Sequence, residues 1–231
     1  MNQTSLNTKP LGPGPVVVLV DDDEGLGASL RFLLEAERIV CEHFLSGKAL
    51  LQALKQKPRP AWLDTPGCVL LDVRMPGENG TDVFEQIKRV APELALPVVF
   101  MTGHGDVPLV TRVLKEGAFD FIQKPIEGEA LLARLSDYFK ESSSRLAELE
   151  LRHSVEEKIT TLTEREREVM WHLYLGQSNK DIAEKLGNSV RTIELRRATI
   201  YDKMGVKNTV EMARLLERIG WQAQPNGKSR G

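Results

Sequence analysis

Three short runs, Val16–Val20 (VVVLV), 68–73 (CVLLDV) and 97–102 (PVVFMT), are apolar at almost every position. A strand with one solvated face alternates apolar and polar residues, so continuous runs of this kind require cover on both faces. Helical patterns fall between them, at 26–37, 47–55, 81–90, 107–116 and from 127 onward, with further β-rich stretches at 39–44 and 120–125. Strand alternating with helix over residues 15–140 predicts a doubly wound α/β domain built on a five-stranded parallel sheet, flavodoxin-like in plan.

In such a sheet, reactive groups gather outside the carboxyl ends of the strands. The first expected strand is followed by Asp21, Asp22 and Asp23, the third (68–73) ends on Asp72 and Val73, the fourth (97–102) ends on Thr102 with His104 two residues on, and the fifth (120–125) ends on Lys124-Pro125. A carboxylate beside buried apolar surface is costly unless a cation, a hydrogen bond or a covalent reaction accounts for it. Clustered carboxylates favour a divalent cation, and an all-oxygen donor set selects Mg²⁺. Asp72 is then placed to attack phosphorus and form an aspartyl phosphate, with Lys124 and the metal stabilising the equatorial oxygens and Thr102 bonding the product. The plainer alternative is that Asp72 only caps the loop 73–76. Acids, a hydroxyl and a lysine at four separate strand ends favour the chemistry. Asp23 reads as a solvated loop residue.

The formal net charge of −2 hides an asymmetry. Residues 160–231 carry 13 Lys+Arg against 9 Asp+Glu, and residues 1–159 carry 18 against 24. An acidic front and a basic back predict two domains with different partners. The basic part is helical by pattern: Thr163 with Glu166 three residues on marks a helix start, and helices stopped by Gly187 and Gly205 flank the turn Gly187-Asn188-Ser189 of a helix-turn-helix. On the longer helix Ile193, Ile200 and Met204 share one face, with Val190 near it, and are expected to pack inward. Arg191, Glu194, Leu195, Ala198 and Thr199 lie opposite, with Thr192 beside them, free to enter a major groove. Arg196, Arg197, Asn179 and Lys180 suit phosphate contacts. Glu194 departs from a purely cationic surface: a carboxylate accepts from cytosine N4 and is repelled by phosphate.

Two cysteines without a CxxC or Cys/His cluster predict buried apolar roles in a reducing cytoplasm. At 41% hydrophobic and 28% charged the chain reads as soluble, with no apolar run near the roughly 20 residues that span a bilayer, no signal peptide and no membrane partner. Residues 1–14 and 223–231 read as disordered tails. Between the domains, Leu132, Leu135, Phe139, Ser142, Leu146 and Leu149 follow a heptad that fails at His153 and Glu156. This predicts either a linker helix over 141–159 that pairs with another copy, or a last α/β helix followed by a flexible connector through 141–144. Trp62, in a long loop before the run 68–73, is a candidate contact.

The stretches VLVDDDE, LLDVRMPGENG, MTGHGDVPL and GAFDFIQKP resemble the receiver domain of two-component response regulators, most of all its FixJ branch. Residues 161–208 resemble the LuxR/NarL-type helix-turn-helix along its whole length, within a DNA-binding domain expected over 160–222. The first resemblance implies Asp72 as phospho-acceptor, Mg²⁺ held by Asp21, Asp22, Asp72 and the Arg74 backbone carbonyl, Thr102 and Phe121 as a switch pair, and Lys124 as the phosphoryl-stabilising lysine. Together the two imply a transcriptional regulator rather than an enzyme. Its partners would be a sensor histidine kinase, promoter DNA and RNA polymerase, and it would form a homodimer when phosphorylated. The competing readings are a constitutive DNA binder whose receiver is a protein-interaction scaffold, and an aspartyl-phosphate phosphatase. Against the latter, Arg74 stands where haloacid-dehalogenase-type enzymes need a second acid.

Overall fold

The structure is a computed structural model that describes residues 14–103 and 107–221. His104, residues 1–13 and residues 222–231 lie outside the described residues, and with them nearly all of both expected tails. The chain divides into two compact units between Ala147 and Glu148.

In the first unit, β1 (Val16–Val20), β2 (Val40–Phe44), β3 (Gly67–Asp72), β4 (Val98–Thr102) and β5 (Asp120–Gln123) form one sheet in the order β2-β1-β3-β4-β5. Every pairing is parallel. The connections are α1 (Glu24–Ala36), α2 (Gly47–Leu54), α3 (Gly80–Val90) and α4 (Val107–Lys115), and α5 (Gly128–Thr160) follows β5. Alternate residues of each strand feed opposite layers, as the pleat dictates. Val16, Val18 and Val20 join Leu50, Phe84 and Phe100 under α2 and α3. Val17 and Leu19 join Leu30, Leu34, Leu131 and Leu135 under α1 and α5. Both faces are covered, which is why the runs are continuously apolar.

Several residues prove more specific than their sequence context suggests. Asp23 is not merely a solvated loop residue: it is the N-cap of α1, its carboxylate accepting from the Gly25 and Leu26 N–H groups at 2.8 and 3.0 Å. Trp62 packs on the core, edge-on to Phe44. After β3 the chain makes a small hairpin in which Arg74 and Met75 pair with Asn79 and Glu78. Glu78 accepts from the Gly47 and Lys48 N–H groups at 2.6 and 3.2 Å, so this hairpin caps α2. Gly80 closes it, its N–H donating to the Val73 carbonyl at 2.9 Å. A Cβ at Gly80 would lie 2.1 Å from the Asp72 carbonyl oxygen.

The helix α5 has 33 residues and runs without a break through 141–144. Leu131, Leu135, Tyr138 and Ser142 are buried against the first unit. The first turns of the heptad seam are therefore used within this chain. Ser142 is fully buried, and its hydroxyl accepts the Gly67 N–H at 3.1 Å, which offsets the cost of burying both groups at the start of β3.

In the second unit the last turns of α5 join α6 (Glu164–Tyr174), α7 (Asn179–Leu186), α8 (Val190–Met204) and α9 (Thr209–Arg218) around Val155, Val169, Met170, Ile182, Ile193, Ile200 and Met212. Capping boxes start α6 at Thr163/Glu166 and α7 at Ser178/Asp181. Gly187 and Gly205 end α7 and α8 at positive φ of 61° and 69°, where a side chain would be strained. No helix among the described residues is long and apolar enough to cross a membrane.

Replacing Ser142 by Ala leaves the Gly67 N–H buried and unpaired. The first unit of a Ser142→Ala chain is expected to lose about 1–3 kcal/mol in urea unfolding; an unchanged midpoint would show that water replaces the hydroxyl.

Candidate functional site

Parallel register brings the ends of β1, β3, β4 and β5 to one edge of the sheet. Asp21 follows β1, and its backbone N–H donates to the Phe44 carbonyl at 3.0 Å. Asp72 ends β3 opposite Met101 of β4. Lys124 follows β5, its N–H held by the Thr102 carbonyl at 2.7 Å. From there its Nζ reaches across to Asp21 Oδ2 at 2.6 Å and Asp72 Oδ2 at 3.0 Å. One carboxylate oxygen from each of Asp21, Asp22 and Asp72 lies within 4.8 Å of the others, with Asp21 and Asp72 buried and Asp22 exposed.

The electrostatics are those of a site with surplus negative charge. Burial pushes the Asp72 carboxyl above its ordinary range, and Asp21 adds to the shift; Lys124 and the Arg74 N–H work against it. Burial also opposes the charge on Lys124, but its bonds to Asp21 and Asp72 outweigh that and hold its pKa above the ordinary lysine value. Two carboxylates share the Lys124 ammonium, and a third, Asp22, lies beside them. An all-oxygen, partly solvent-open donor set of this kind fits Mg²⁺, which keeps several waters and takes one or two carboxylates.

The structure brings Asp21, Asp22, Asp72 and Lys124 together. Thr102 is buried at the end of β4, beside them in the sheet. Phe121 sits one strand further out, half-buried on the core with its carbonyl accepting from Arg134 Nη1 at 2.8 Å. Arg74 stands at the base of the hairpin that follows Asp72. Sequence reasoning missed His43, whose Nε2 bonds the Asp21 carbonyl at 2.8 Å and whose ring occupies the space beside Gly27. The glycine inside α1 is the one signal that pointed to such a close approach.

On the second unit, Ile193, Ile200 and Met204 are fully buried, while Arg191, Glu194, Leu195, Ala198 and Thr199 are exposed. Leu195 is 63% exposed, an unusual state for a leucine with a core a turn away. Val190 is 42% exposed rather than packed inward: as the first residue of α8 it lines an open cleft with Leu173, Gln177 and Lys180. Thr192 is half-buried at the cap, its N–H bonded to Ser189. Arg197 is braced within the domain, bonded to Asn179 Oδ1 at 3.3 Å and lying over the Tyr201 ring. Arg196 is half-buried and Lys180 exposed.

A parallel sheet with an acid cluster and lysine at its carboxyl edge, followed by a helix-turn-helix with an exposed recognition face, defines a phosphorylation-controlled DNA-binding regulator. The chain belongs to the response regulators: residues 17–136 match the response regulator receiver domain and residues 160–216 match the bacterial regulatory proteins of the luxR family. It is 38% identical over 200 residues to the C4-dicarboxylate transport transcriptional regulatory protein DctR of Rhodobacter capsulatus, covering 86% of this chain and 98% of that one. It is 36% identical over 204 residues to the transcriptional regulatory protein FixJ of Bradyrhizobium diazoefficiens, covering 88% and 95%. Among solved structures, the response regulator StyR superposes with a TM-score of 0.70 at 32% identity, covering 89% of this chain and 99% of that one. Full-length FixJ from B. japonicum superposes with a TM-score of 0.51 at 35% identity, covering 90% and 98%.

The raised Asp72 pKa has a sign. A carboxyl raised in the fold contributes stability below its ordinary range and loses it as pH rises through the raised value. Asp72→Asn, uncharged throughout, is therefore expected to melt higher than the parent at neutral pH, with the gap narrowing as pH falls toward the carboxylate range. Calorimetry of the receiver transition checks this; a gap that widens on acidification would contradict the assignment.

Proposed function

We propose that Asp72 accepts a phosphoryl group from the phosphohistidine of a sensor kinase, and that the modified receiver then promotes promoter binding by the helical domain in the cytoplasm. The observation that supports this most is the placement of Lys124, bonded at once to Asp21 and Asp72 beside a third carboxylate. In the transfer, an Asp72 carboxylate oxygen attacks phosphorus, the P–N bond breaks, and the imidazole leaves to collect a proton. Mg²⁺, held by Asp21, Asp22, Asp72 and the Arg74 carbonyl, would neutralise the charge of the incoming group. Lys124 exchanges its bond to Asp72 for one to a phosphoryl oxygen. The Thr102 hydroxyl donates to another, drawing Thr102 inward, and Phe121 follows into the space vacated.

The activity is stoichiometric: the receiver promotes its own phosphorylation and hydrolysis and turns over no other substrate. The shift in population exposes a face on α4, β5 and α5 that pairs two copies, so that two recognition helices meet two half-sites with multiplied affinity, and the bound dimer engages RNA polymerase. Arg191, Thr192, Glu194, Leu195, Ala198 and Thr199 read bases; Asn179, Lys180, Arg196 and Arg197 contact phosphates.

Full-length protein incubated with acetyl phosphate and a magnesium salt is expected to gain one acid-labile phosphoryl group, to sediment as a dimer and to bind promoter DNA more tightly, all abolished in Asp72→Asn. Undiminished labelling would remove Asp72 from the mechanism, and labelling without a change in DNA affinity would favour the scaffold reading. A second test concerns Glu194. In duplexes selected from a random pool, Glu194→Gln is expected to exchange a preference for cytosine for one for adenine at one position of each half-site, worth about 1–3 kcal/mol. An unaltered preference would place Glu194 outside the base-reading set.

A further inference from the structure

The luxR-family match begins at residue 160, yet the core of the helical unit draws in side chains from before that point. Val155 is buried within it, and Leu151 and Ile159 pack against it. All three lie on the last turns of α5. Between them Lys158, half-buried, reaches the far end of the recognition helix: its Nζ donates to the Met204 carbonyl at 3.3 Å.

That carbonyl needs a partner. Met204 is the last residue of α8, and the turn at Gly205 returns the Gly205 and Val206 N–H groups only to the carbonyls of Asp202 and Tyr201. The final carbonyls of a helix have no partner within it and carry the negative end of its dipole. An ammonium there satisfies both demands. The arrangement is reciprocal. Lys203, one residue before Met204, donates to the Thr161 carbonyl just past the end of α5 at 3.2 Å, and to Glu166 at 2.7 Å. The two helix ends therefore exchange lysines, and the exposed base-facing residues ride on the helix so held.

We propose that Lys158 is a positioning residue for DNA recognition, and that the last turns of α5 are a working part of the DNA-binding domain. Lys158 fixes the carboxyl end of α8, and so the angle at which Arg191, Glu194 and Leu195 are presented, without itself touching DNA. This rests on the reading of α8 as the recognition helix.

The test uses the full chain, treated with a phosphodonor, and a duplex that this chain selects from a random-sequence pool. Lys158→Met keeps the apolar stem and removes the charge; Lys158→Arg keeps a cation and donors. Lys158→Met is expected to bind the duplex roughly two- to fivefold more weakly, with the slope of affinity against salt unchanged, while Lys158→Arg stays near the parent. Amides of residues 203–206 are expected to exchange faster in Lys158→Met, with those of α6 unaltered. Unchanged affinity overturns the proposal. So does a salt slope reduced by about one, which marks a direct phosphate contact, or loss of cooperative melting, which would make Lys158 a prop of the fold rather than of the helix angle. Should the parent select no duplex, the regulator reading fails; the exchange comparison still decides the clamp.

Discussion

Two carboxylates buried at the ends of neighbouring strands would repel each other and cost solvation energy, and the Lys124 ammonium reconciles them. It arrives from β5, two positions away from β3 in the sheet, and so has to pass the end of β4 to reach Asp72. That reach is possible only if all four strands end level. The level edge comes from parallel register, the register from apolar strands filled on both faces, and the double cover from helices whose lengths fit the sheet. The ion pair is thus less a source of stability than a condition the fold satisfies: burial raises the Asp72 pKa despite the lysine, which leaves the carboxylate poorly solvated.

The sheet and the acid cluster were legible in the sequence because both are written in contiguous residues. A run such as VVVLV followed by Asp21-Asp22 announces a buried strand and its acidic end without reference to any other part of the chain. What stayed hidden depends on pairs far apart. Glu78 caps a helix 31 residues earlier, Ser142 serves a strand 75 residues earlier, and His43 bonds a carbonyl 22 residues earlier. None of these leaves a periodic trace. Asp23 is exposed, as its place beyond the acidic pair suggested, but it also starts a helix, a role that the run of three aspartates does not single out. Val190 shows the limit of a helical wheel, which assigns a face but not whether a neighbour reaches the first turn.

The heptad between the domains carried two meanings that sequence could not separate. Leucines at this spacing serve a partner helix or the chain's own core equally well. Burial of Leu135 and Ser142 in the first unit and of Val155 in the second divides the helix between two cores. The same helix therefore contributes to each unit while belonging wholly to neither.

Gly80 carries a last consequence. Its missing side chain lets the hairpin close against the carbonyl of Asp72 itself, with backbone rather than a movable side chain filling the space. A chain drifting by chance substitution can exchange Asp72 for asparagine, a side chain of nearly the same size, with no demand on the backbone. It cannot accept even a methyl group at position 80 without displacing the loop on which position 72 depends. The residue with no side chain is in this respect less replaceable than the carboxylate beside it.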